Sequence, residues 1–348
     1  MRVHTLVRLD SRAVSDGQGE IRAFMTVRDE SLRLPQTLDH YRNLGVATFF
    51  ITDNGSTDGT TEFLLAQPDC HVFLTRNSYA EARYGLEWQH ALLDEFGVDH
   101  WCLVVDADEW FVYPGYENLS LPKLVVYLQQ CGAQGVFAFL LDMYGDIAVD
   151  GTIAEPRHSL LDAYRYFDRD YLWDFGFRIP GVRRQRFPPC SVVGGARWRL
   201  LFPVLNRHYH LLKAMWRICD YFRLPLPIGL KRAPSLNKIP FLRWSLGMRF
   251  LHIHTTTPIN LSNVTGVLLH FKFLEDFLAR VRIEVARKEH WDGASEYSRY
   301  LAKLEQNPGL NFKYPGSVAY ENSDQLVQLG LMQEDNGWMR VRGANGSL

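Results

Sequence analysis

The sequence lacks long apolar runs and is poor in cysteine, and both absences narrow the class of protein. No uninterrupted stretch of about 18 apolar residues is present, although a membrane-spanning helix needs about that length. No apolar segment follows the scattered charges of residues 1–20, so the sequence predicts no signal peptide. The five cysteines are odd in number and widely spaced, unlike a disulfide framework or a zinc site. We therefore expect a protein of the reducing cytoplasm.

The chain also lacks internal repeats, low-complexity linkers and a strong net charge. Its 348 residues carry a formal charge of −1, and 47% of them are hydrophobic. A chain of this length and composition can build one large domain or two modest ones with a well-buried core. We therefore expect a globular protein whose function has to be argued from its motifs.

One segment departs from this neutral balance. Residues 197–249 contain eleven Lys or Arg residues and a single acid, Asp220. Because the segment is also rich in aromatic residues and Leu, we expect it to face either an anionic membrane, as a peripheral contact at the inner face, or a phosphate-bearing acceptor. The alternative is that these side chains only snorkel from ordinary amphipathic helices. No nucleic-acid recognition pattern accompanies the charge, so nucleic acid is not an expected partner.

Strand and helix signals alternate over the first 150 residues. Strands are predicted at 21–27, 46–52, 71–74, 101–105 and 136–141, and helices at 35–44, 60–66, 81–96 and 121–130. Alternating units of this kind predict an α/β fold with a mostly parallel, doubly wound sheet flanked by helices. After about residue 150 the pattern becomes irregular, and helical signals return at 274–288 and 294–305.

Two carboxylates one residue apart follow a strand that we expect to be buried on both faces. The apolar run 101–105 leads directly into Asp106-Ala107-Asp108-Glu109, here called the acidic hinge. Side chains alternate along an extended chain, so Asp106 and Asp108 share one side. Ligands of open α/β sheets gather at the carboxyl ends of strands, and a divalent cation with nucleotide phosphates takes such carboxylates. The alternative is a pair of solvated acids in a turn.

Two further strand ends carry polar residues that could share the same crevice. The first predicted strand ends in Thr26-Val27-Arg28-Asp29-Glu30, and the second leads into Asp53-Asn54-Gly55-Ser56-Thr57-Asp58-Gly59. A carboxylate at the position of Asp53 can accept hydrogen bonds from a base or from ribose hydroxyls. Turn residues that cap the next helix, and a surface cluster of ion pairs, are the respective alternatives.

Taken in this order, the three segments resemble the family 2 glycosyltransferases of the GT-A fold. The likeness is strongest to the bacterial branch in which the second motif reads DNGSTDGT, here 53–60, and the third reads DADE, here 106–109. The three motifs cover roughly residues 20–115, and segments 268–273 and 289–300 also look similar to that branch. The resemblance implies a Rossmann-like GT-A sheet with a nucleotide-sugar-binding half at 21–150, after an N-terminal extension at 1–20. Residues 151–348 would form the acceptor-binding part, which contains the C-terminal helices.

The resemblance also implies a reaction and roles for individual residues. It implies metal-dependent, inverting transfer of a sugar from a nucleotide-diphosphate sugar to a glycan, a glycolipid or another cell-surface acceptor. Asp53 would hold the base, Asp106 would contact the ribose or the metal shell, and Asp108 would ligate Mn²⁺ or Mg²⁺. His270 would be a further metal ligand, the alternative being a buried structural histidine, and Lys272 would neutralise the diphosphate. The remaining nucleotide contacts would come from Thr26, Arg28, Glu30 and Asn54.

The general base that the reaction needs is not marked by a clear motif. An inverting displacement requires a carboxylate that takes the proton of the acceptor hydroxyl. The candidates are Asp142, Asp146 and Asp174, with Asp142 preferred for its place at a strand end, and no Glu-Asp pair singles one out. A nucleotide-sugar-binding protein without turnover therefore stays an alternative. A metal-dependent phosphohydrolase is a weaker one, because the hinge continues into Trp110 and Phe111 rather than Thr.

Two other patterns could hold a ligand. The segment Gly194-Gly195-Ala196-Arg197-Trp198-Arg199 could bring backbone amides and two guanidinium groups to an acceptor or a phosphate. A tight turn with exposed arginines is the alternative. His252 and His254 are two apart, so on a strand their rings would share one face and could bind metal.

Overall fold

The computed structural model describes residues 6–149, 159–174, 187–188, 190–202 and 235–345, with residues 208, 211, 214, 215 and 218. The strands are β1 (Val7–Arg8), β2 (Ile21–Val27), β3 (Val46–Asp53), β4 (Cys70–Leu74), β5 (Trp101–Val104), β6 (Glu109–Val112), β7 (Gly135–Tyr144), β8 (Tyr166–Asp168), β9 (Tyr171–Asp174), β10 (Ser191–Gly194), β11 (Asn237–Arg243), β12 (Phe250–His252), β13 (Thr255–Thr256), β14 (Val267–Phe273) and β15 (Ser317–Ala319). The helices are α1 (Leu34–Leu44), α2 (Thr60–Leu65), α3 (Leu86–Phe96), α4 (Leu121–Gln130), α5 (Leu160–Ala163), α6 (Gly195–Leu201), α7 (Phe277–Arg287), α8 (Trp291–Gln306), α9 (Ser323–Gln328) and α10 (Asn336–Asn345).

A mixed sheet forms the centre of the described part of the chain, in the order β1-β4-β3-β2-β5-β11-β7-β14-β6. Strands β4, β3, β2 and β5 are parallel neighbours. Strand β11 is antiparallel to both β5 and β7, and β14 is parallel to β7. Strands β2, β3, β4, β5, β7 and β14 therefore run in one direction, and their carboxyl ends meet at one edge. The predicted α/β fold with a mostly parallel sheet flanked by helices is confirmed.

Both faces of the sheet are covered, which explains why its central strands are almost continuously apolar. In β2, Met25 packs in the layer that contains Leu38 of α1, whereas Phe24 packs in the layer that contains Leu92 of α3. Helix α1 ends at Gly45, whose φ of 96° places it in the left-handed region that glycine adopts without strain. Alternation along β2 thus divides the apolar side chains between two layers of helices.

Two expectations of local structure need correction. The predicted helix at 81–96 is wrong in its first part, because Arg83 and Tyr84 adopt left-handed backbone conformations and the helix begins only at Leu86. The acidic hinge leads directly into strand β6, which begins at Glu109, and Glu109 pairs with His270 of β14. The helix expected from residue 274 begins three residues later, at Phe277.

Residues beyond 150 complete the sheet rather than standing apart from it. Strand β11 lies between β5 and β7, and β14 lies between β7 and β6. At the other end, β1 of the N-terminal extension pairs with β4. The domain boundaries at residues 20 and 150 stay predictions. Among the described residues, no helix combines the length and the apolar composition needed to cross a bilayer.

Candidate functional site

The acidic hinge is a tight turn between β5 and β6 at the carboxyl edge of the sheet. The backbone N–H of Glu109 donates to the carbonyl of Asp106 at 3.1 Å, and the N–H of Asp106 donates to Glu109 Oε2 at 3.1 Å. The side chain of Asp106 is 46% exposed, whereas that of Glu109 is buried. The hinge therefore presents Asp106 outwards and holds Glu109 beneath it.

Lys238 of β11 lies against the hinge. Its Nζ donates to Asp106 Oδ2 at 2.8 Å and to Glu109 Oε1 at 2.5 Å. Burial lowers the pKa of a lysine, but the two carboxylates outweigh it and raise the pKa of Lys238. Burial, together with the charges of Asp106 and Asp108, raises the pKa of Glu109, although Lys238 opposes this shift. Lys238 is therefore a cation that offsets part of the hinge charge.

His270 of β14 lies between two carboxylates. Its Nε2 is 3.4 Å from Asp108 Oδ2, and its Nδ1 is 2.7 Å from Asp142 Oδ1. Burial lowers the pKa of an imidazole, but the two acids outweigh it and raise the pKa of His270 to about 9. The two acids therefore favour the charged ring, and a metal ion on Nε2 would have to displace the proton there. The pairing of β14 with β7 explains this contact, because His270 is in register with Asp142.

Asp142 is buried within an ion-pair chain rather than exposed to an acceptor. Arg197 of α6 donates from Nη2 to Asp142 Oδ1 at 3.1 Å, and its Nε lies 3.6 Å from Glu296. Burial raises the pKa of a carboxyl, but Arg197 and His270 lower the pKa of Asp142 to about 2. The expectation of a turn with exposed arginines is wrong for Arg197, which is buried, and Arg199 pairs with Asp168 at 2.7 Å.

A small cavity beside Asp108 is lined by cations. Its walls include Arg33, Lys272, Arg280 and Tyr297. Lys272 donates to Glu296 at 3.1 Å. The two arginines are paired with acids of neighbouring segments: Arg33 with Asp276 at 2.7 and 2.8 Å, and Arg280 with Glu30 at 2.5 and 2.9 Å. Glu30 is thus buried in ion pairs, and burial raises its pKa although the arginines oppose this.

The turn after β3 uses its polar side chains internally. Asp53 is buried, and its Oδ1 accepts from the N–H and the hydroxyl of Ser56, both at 2.8 Å. Its Oδ2 accepts from the hydroxyl of Thr61. Asn54 is buried too, and its Nδ2 donates to the carbonyl of Asn77 at 3.0 Å. A role of Asp53 and Asn54 in binding a base stays a prediction, and it would need these contacts to be shared.

The end of β2 borders the same turn. Arg28 is partly exposed, and its Nη1 donates to the carbonyl of Asn54 at 2.7 Å. The hydroxyl oxygen of Thr26 is buried and has no hydrogen-bond partner among the described residues. It lies near Gly85, where an added Cβ would sit 3.4 Å from it. Nucleotide contacts from Thr26 and Arg28 stay predictions.

The other two base candidates lie apart from the hinge contacts. Asp146 is half exposed and pairs with Lys313 at 2.5 Å. Asp174 is the last residue of β9, where its backbone is in register with Ser191 of β10. The catalytic roles of Asp142, Asp146 and Asp174 stay predictions.

Asp108, Glu109 and His270 are the candidate metal ligands. One oxygen or nitrogen of each lies within 4.8 Å of the others. Both oxygens of Glu109 are already engaged, by Lys238 and by the N–H of Asp106. This leaves the carboxylate of Asp108 and the imidazole of His270. Both groups are common ligands of Mn²⁺, and Mg²⁺ is usually held by only one or two protein carboxylates. The contact from His270 Nδ1 to Asp142 is the second contact that metal-binding histidines commonly make, so the residues fit a divalent ion.

The pair His252 and His254 is not part of this cluster. Their rings stack with centroids 5.2 Å apart, and Nδ1 of His254 lies 2.7 Å from the carbonyl of Asn237. Among the described residues, the one group with three possible ligands is the cluster at Asp108. Metal binding by the two histidines receives no support from the geometry.

An open pocket adjoins the hinge on the side of Lys238. It measures about 490 Å³, including the volume open to solvent. Asp106 and Lys238 form one wall, and the others are formed by a segment before and within α3 and by the β12 region. The lining residues outside the hinge strands include Tyr79, Tyr84, Gln89, Phe250 and Ile253. Aromatic and amide side chains beside a carboxylate could hold a nucleoside.

Sequence reasoning missed several of these residues. Lys238, Arg33 and Arg280 were not singled out, although each contacts an acid of the site region. A single lysine between Asn237 and the apolar residues of β11 was the available signal. Of the basic segment 197–249, the described members Arg243 and Arg249 pair with acids of the α3 region. Six others lie outside the described residues: Arg207, Lys213, Arg217, Arg223, Lys231 and Arg232.

Comparisons with known proteins gave only weak likenesses. No protein-family model matches the chain, and no curated protein matches it. Among solved structures, S. aureus TarS 1-349 is 14% identical with a TM-score of 0.26, over 41% of this chain and 43% of that one. UDP-glucose pyrophosphorylase from Acinetobacter baumanii is 9% identical with a TM-score of 0.29, over 82% and 99%. A putative glucose-1-phosphate thymidylyltransferase from Bacillus anthracis is 10% identical with a TM-score of 0.25, over 39% and 61%.

The extent of these matches limits their use. The chain spans less than half the length of either TarS structure, 43% and 26%. Structural likeness at such scores carries no argument about function. The fold stands on the strand order and directions described above, and the function has to be argued from the residues of the site.

Proposed function

We propose that this protein transfers a sugar from a nucleotide-diphosphate sugar to an acceptor hydroxyl, with Mn²⁺ or Mg²⁺ as cofactor. The observation that carries the proposal is the opposition of Asp108 and His270, 3.4 Å apart, at the carboxyl edge of the sheet. Ligands of open α/β sheets bind at this edge. The resemblance of the three strand-end motifs to family 2 glycosyltransferases supports the same reading.

The side chains around Asp108 suit a leaving group that gains negative charge. A bound divalent ion would act as a Lewis acid toward the departing diphosphate. Lys272 lines the cavity beside Asp108, and its Nζ is paired with Glu296. Arg33 and Arg280 add fixed positive charge to the same walls. A diphosphate placed there would meet cations that are already oriented, which favours charge development in the transition state.

Asp142 suits a positioning role better than that of a base. A general base has to reach the acceptor proton and to bind it at working pH. Asp142 is fully buried, and its pKa of about 2 makes it a weak proton acceptor. Its contact with His270 Nδ1 fixes the ring so that Nε2 points at Asp108. We assign the base to Asp146 or Asp174 as the remaining candidates.

The finer features of the reaction follow from the resemblance. They are inversion at the anomeric carbon and an acceptor that is a glycan, a glycolipid or another cell-surface glycoconjugate. A lipid-linked acceptor would agree with a cytoplasmic protein whose basic segment 197–249 contacts an anionic membrane. That contact, the sugar and the nucleotide each need a separate experiment.

A nucleotide-sugar-binding protein without turnover is the second candidate. It is favoured by the burial of Asp142, the preferred base, within ion pairs to Arg197 and His270. The two candidates differ in product formation and not in ligand binding. Transfer or donor hydrolysis would support the enzyme, whereas donor binding with no product from any acceptor would support the second candidate.

The test begins with a thermal-shift screen of nucleotide sugars with and without Mn²⁺, because a ligand of the folded state raises its melting temperature. The donor found is then used to measure release of nucleoside diphosphate. We expect Mn²⁺-dependent release that falls at least about 100-fold in Asp108→Ala, since a metal ligand is lost. The control is Asp39→Ala, an exposed acid of α1, which should retain wild-type activity. Full activity of Asp108→Ala would overturn the metal role.

A further inference from the structure

Lys238 is the residue of the site that neither the motifs nor the proposed reaction explains. It lies in β11, most of whose other residues are apolar, and it is 8% exposed. Its ammonium group contacts Asp106 at 2.8 Å and Glu109 at 2.5 Å. Burial removes water from the ammonium group of a lysine. This costs free energy unless carboxylates take the place of the water.

The contact divides the three carboxylates of the hinge into two groups. Asp106 and Glu109 share the positive charge of Lys238, whereas Asp108 faces His270. A divalent ion beside Asp106 Oδ2 would stand within a few ångströms of the ammonium group, and like charges at such distances repel strongly. An ion between Asp108 and His270 avoids that contact, and the cations of the neighbouring cavity are each paired with an acid of their own. The geometry therefore leaves Asp108 for a metal ion and Asp106 for another ligand.

Asp106 is directed to the open pocket rather than to His270. Its side chain is about half exposed, and it lines that pocket together with Lys238, Tyr79, Tyr84 and Gln89. A carboxylate held by one lysine retains lone pairs that accept hydrogen bonds from hydroxyl groups. Vicinal hydroxyls of a nucleoside ribose are donors of this kind, and the aromatic side chains nearby suit its base.

We propose that Lys238 is a positioning residue that removes Asp106 from the metal-binding set and fixes its carboxylate toward the ribose hydroxyls of the nucleotide. The ribose contact of Asp106 and the metal ligands Asp108 and His270 are those that the resemblance implies, and the new element is that Lys238 enforces this division. The inference rests on the proposed function, because it assigns parts of the same donor site. It predicts that loss of Lys238 changes metal binding and nucleotide binding in opposite directions.

The experiment measures Mn²⁺ alone by titration calorimetry, and then the nucleoside diphosphate that gives the largest thermal shift among UDP, GDP, ADP, CDP and dTDP. In Lys238→Met, Asp106 is released to the metal, so we expect Mn²⁺ to bind about tenfold more tightly. The nucleoside diphosphate should bind about tenfold more weakly, because Asp106 loses its orientation. Lys238→Arg keeps the charge and should stay within about threefold of wild type in both titrations.

A second variant makes the outcome independent of the folding of Lys238→Met. Asp106→Asn should leave Mn²⁺ affinity within about threefold of wild type and weaken the nucleoside diphosphate about tenfold. In the double variant the tighter Mn²⁺ binding should disappear, because the released carboxylate is gone. A tenfold loss of Mn²⁺ affinity in Asp106→Asn would overturn the proposal. So would equal weakening of both ligands in Lys238→Met, which a merely structural lysine would give.

The two proposals fail in different ways. If the wild-type protein binds no nucleoside diphosphate, the proposed function fails, and the Mn²⁺ titrations still decide whether Lys238 sets the metal ligands. If the wild type binds both ligands and Lys238→Met is unchanged in both, only the role of Lys238 fails. Thermal denaturation of each variant shows whether it is folded before either titration.

Discussion

The turn after β3 and the hinge after β5 lie at the same edge of the sheet, yet their carboxylates are satisfied in opposite ways. Asp53 is fully buried and takes its hydrogen bonds from Ser56 and Thr61, within the same turn and the start of α2. Asp106 is half exposed and is held by Lys238, which is 132 residues away along the chain. Asp53 makes its hydrogen bonds near its own turn, whereas Asp106 is held by a residue of a distant strand.

From this difference we derive a hypothesis: partners within a turn favour a structural role for a carboxylate, and partners from distant strands favour a role in binding. Local partners stabilise a turn wherever it occurs, so they need no further purpose. Partners from distant strands hold a charge at a fixed point of the finished fold, as Lys238 and His270 do for the hinge. Such preorganised charge is what a binding or catalytic site requires. The following variants test this division, from the largest expected effect to the smallest.

Loss of His270 should abolish metal binding with little effect on the turn after β3. Loss of a residue that only hydrogen-bonds a metal ligand weakens metal binding about tenfold or more. His270→Ala removes a ligand itself, so we expect it to weaken Mn²⁺ binding further. Calorimetric titration with Mn²⁺ measures the effect. His252→Ala is the matched control, since this ring is exposed and lies outside the Asp108 cluster. Equal Mn²⁺ affinities of the two variants would contradict the role of His270 as a metal ligand.

Loss of Asp53 should instead lower stability. In Asp53→Ala, the N–H and hydroxyl of Ser56 and the hydroxyl of Thr61 lose a charged acceptor, which should cost about 3 kcal/mol in free energy of unfolding. Urea denaturation measures this change. Asp39→Ala, at an exposed position of α1, should stay within about 0.5 kcal/mol of wild type. An Asp53 variant as stable as the control would show that the turn does not depend on this acid.

Loss of the Asp142 carboxylate should weaken Mn²⁺ binding less than loss of His270 does. Asp142→Asn keeps the shape of the side chain but weakens its hold on His270 Nδ1 and leaves Arg197 with less negative charge. We expect Mn²⁺ affinity to fall about tenfold, as for outer partners of other metal sites. Normal Mn²⁺ affinity with abolished sugar transfer would return Asp142 to the role of base.

The strands of the first half could be predicted because each is an apolar run bounded by turn residues. The start of α3 at Leu86 could not be predicted, because the backbone before it contacts residues that are distant along the chain. Glu289 accepts hydrogen bonds from the hydroxyl of Ser78 and the N–H of Ala80, and no local pattern contains that information. Between these contacts and Leu86 the chain adopts left-handed conformations at Arg83 and Tyr84.

The same limit applied to the candidate site. The resemblance implies Asp108 and His270, and the pairing of β6 with β14 brings the hinge beside His270 because Glu109 is in register with it. The sequence marks Lys238 only as a member of the basic segment 197–249, because its place at the hinge depends on β11 inserting antiparallel beside β5, a strand order that spacing alone does not give. The nucleotide contact of Asp53 stays a prediction: its position at a strand end is visible in the sequence, whereas its hydrogen bonds with Ser56 are not.

The most direct test of this account compares Asp108→Ala with Asp53→Ala in one pair of measurements, Mn²⁺ titration and urea denaturation. We predict that Asp108→Ala loses Mn²⁺ binding and remains folded, with an unfolding midpoint lowered by the loss of its contact with His270. Asp53→Ala should keep Mn²⁺ binding and unfold at lower urea. Retained Mn²⁺ affinity in Asp108→Ala, in a protein that is folded, would contradict the central claim that the hinge is a metal site.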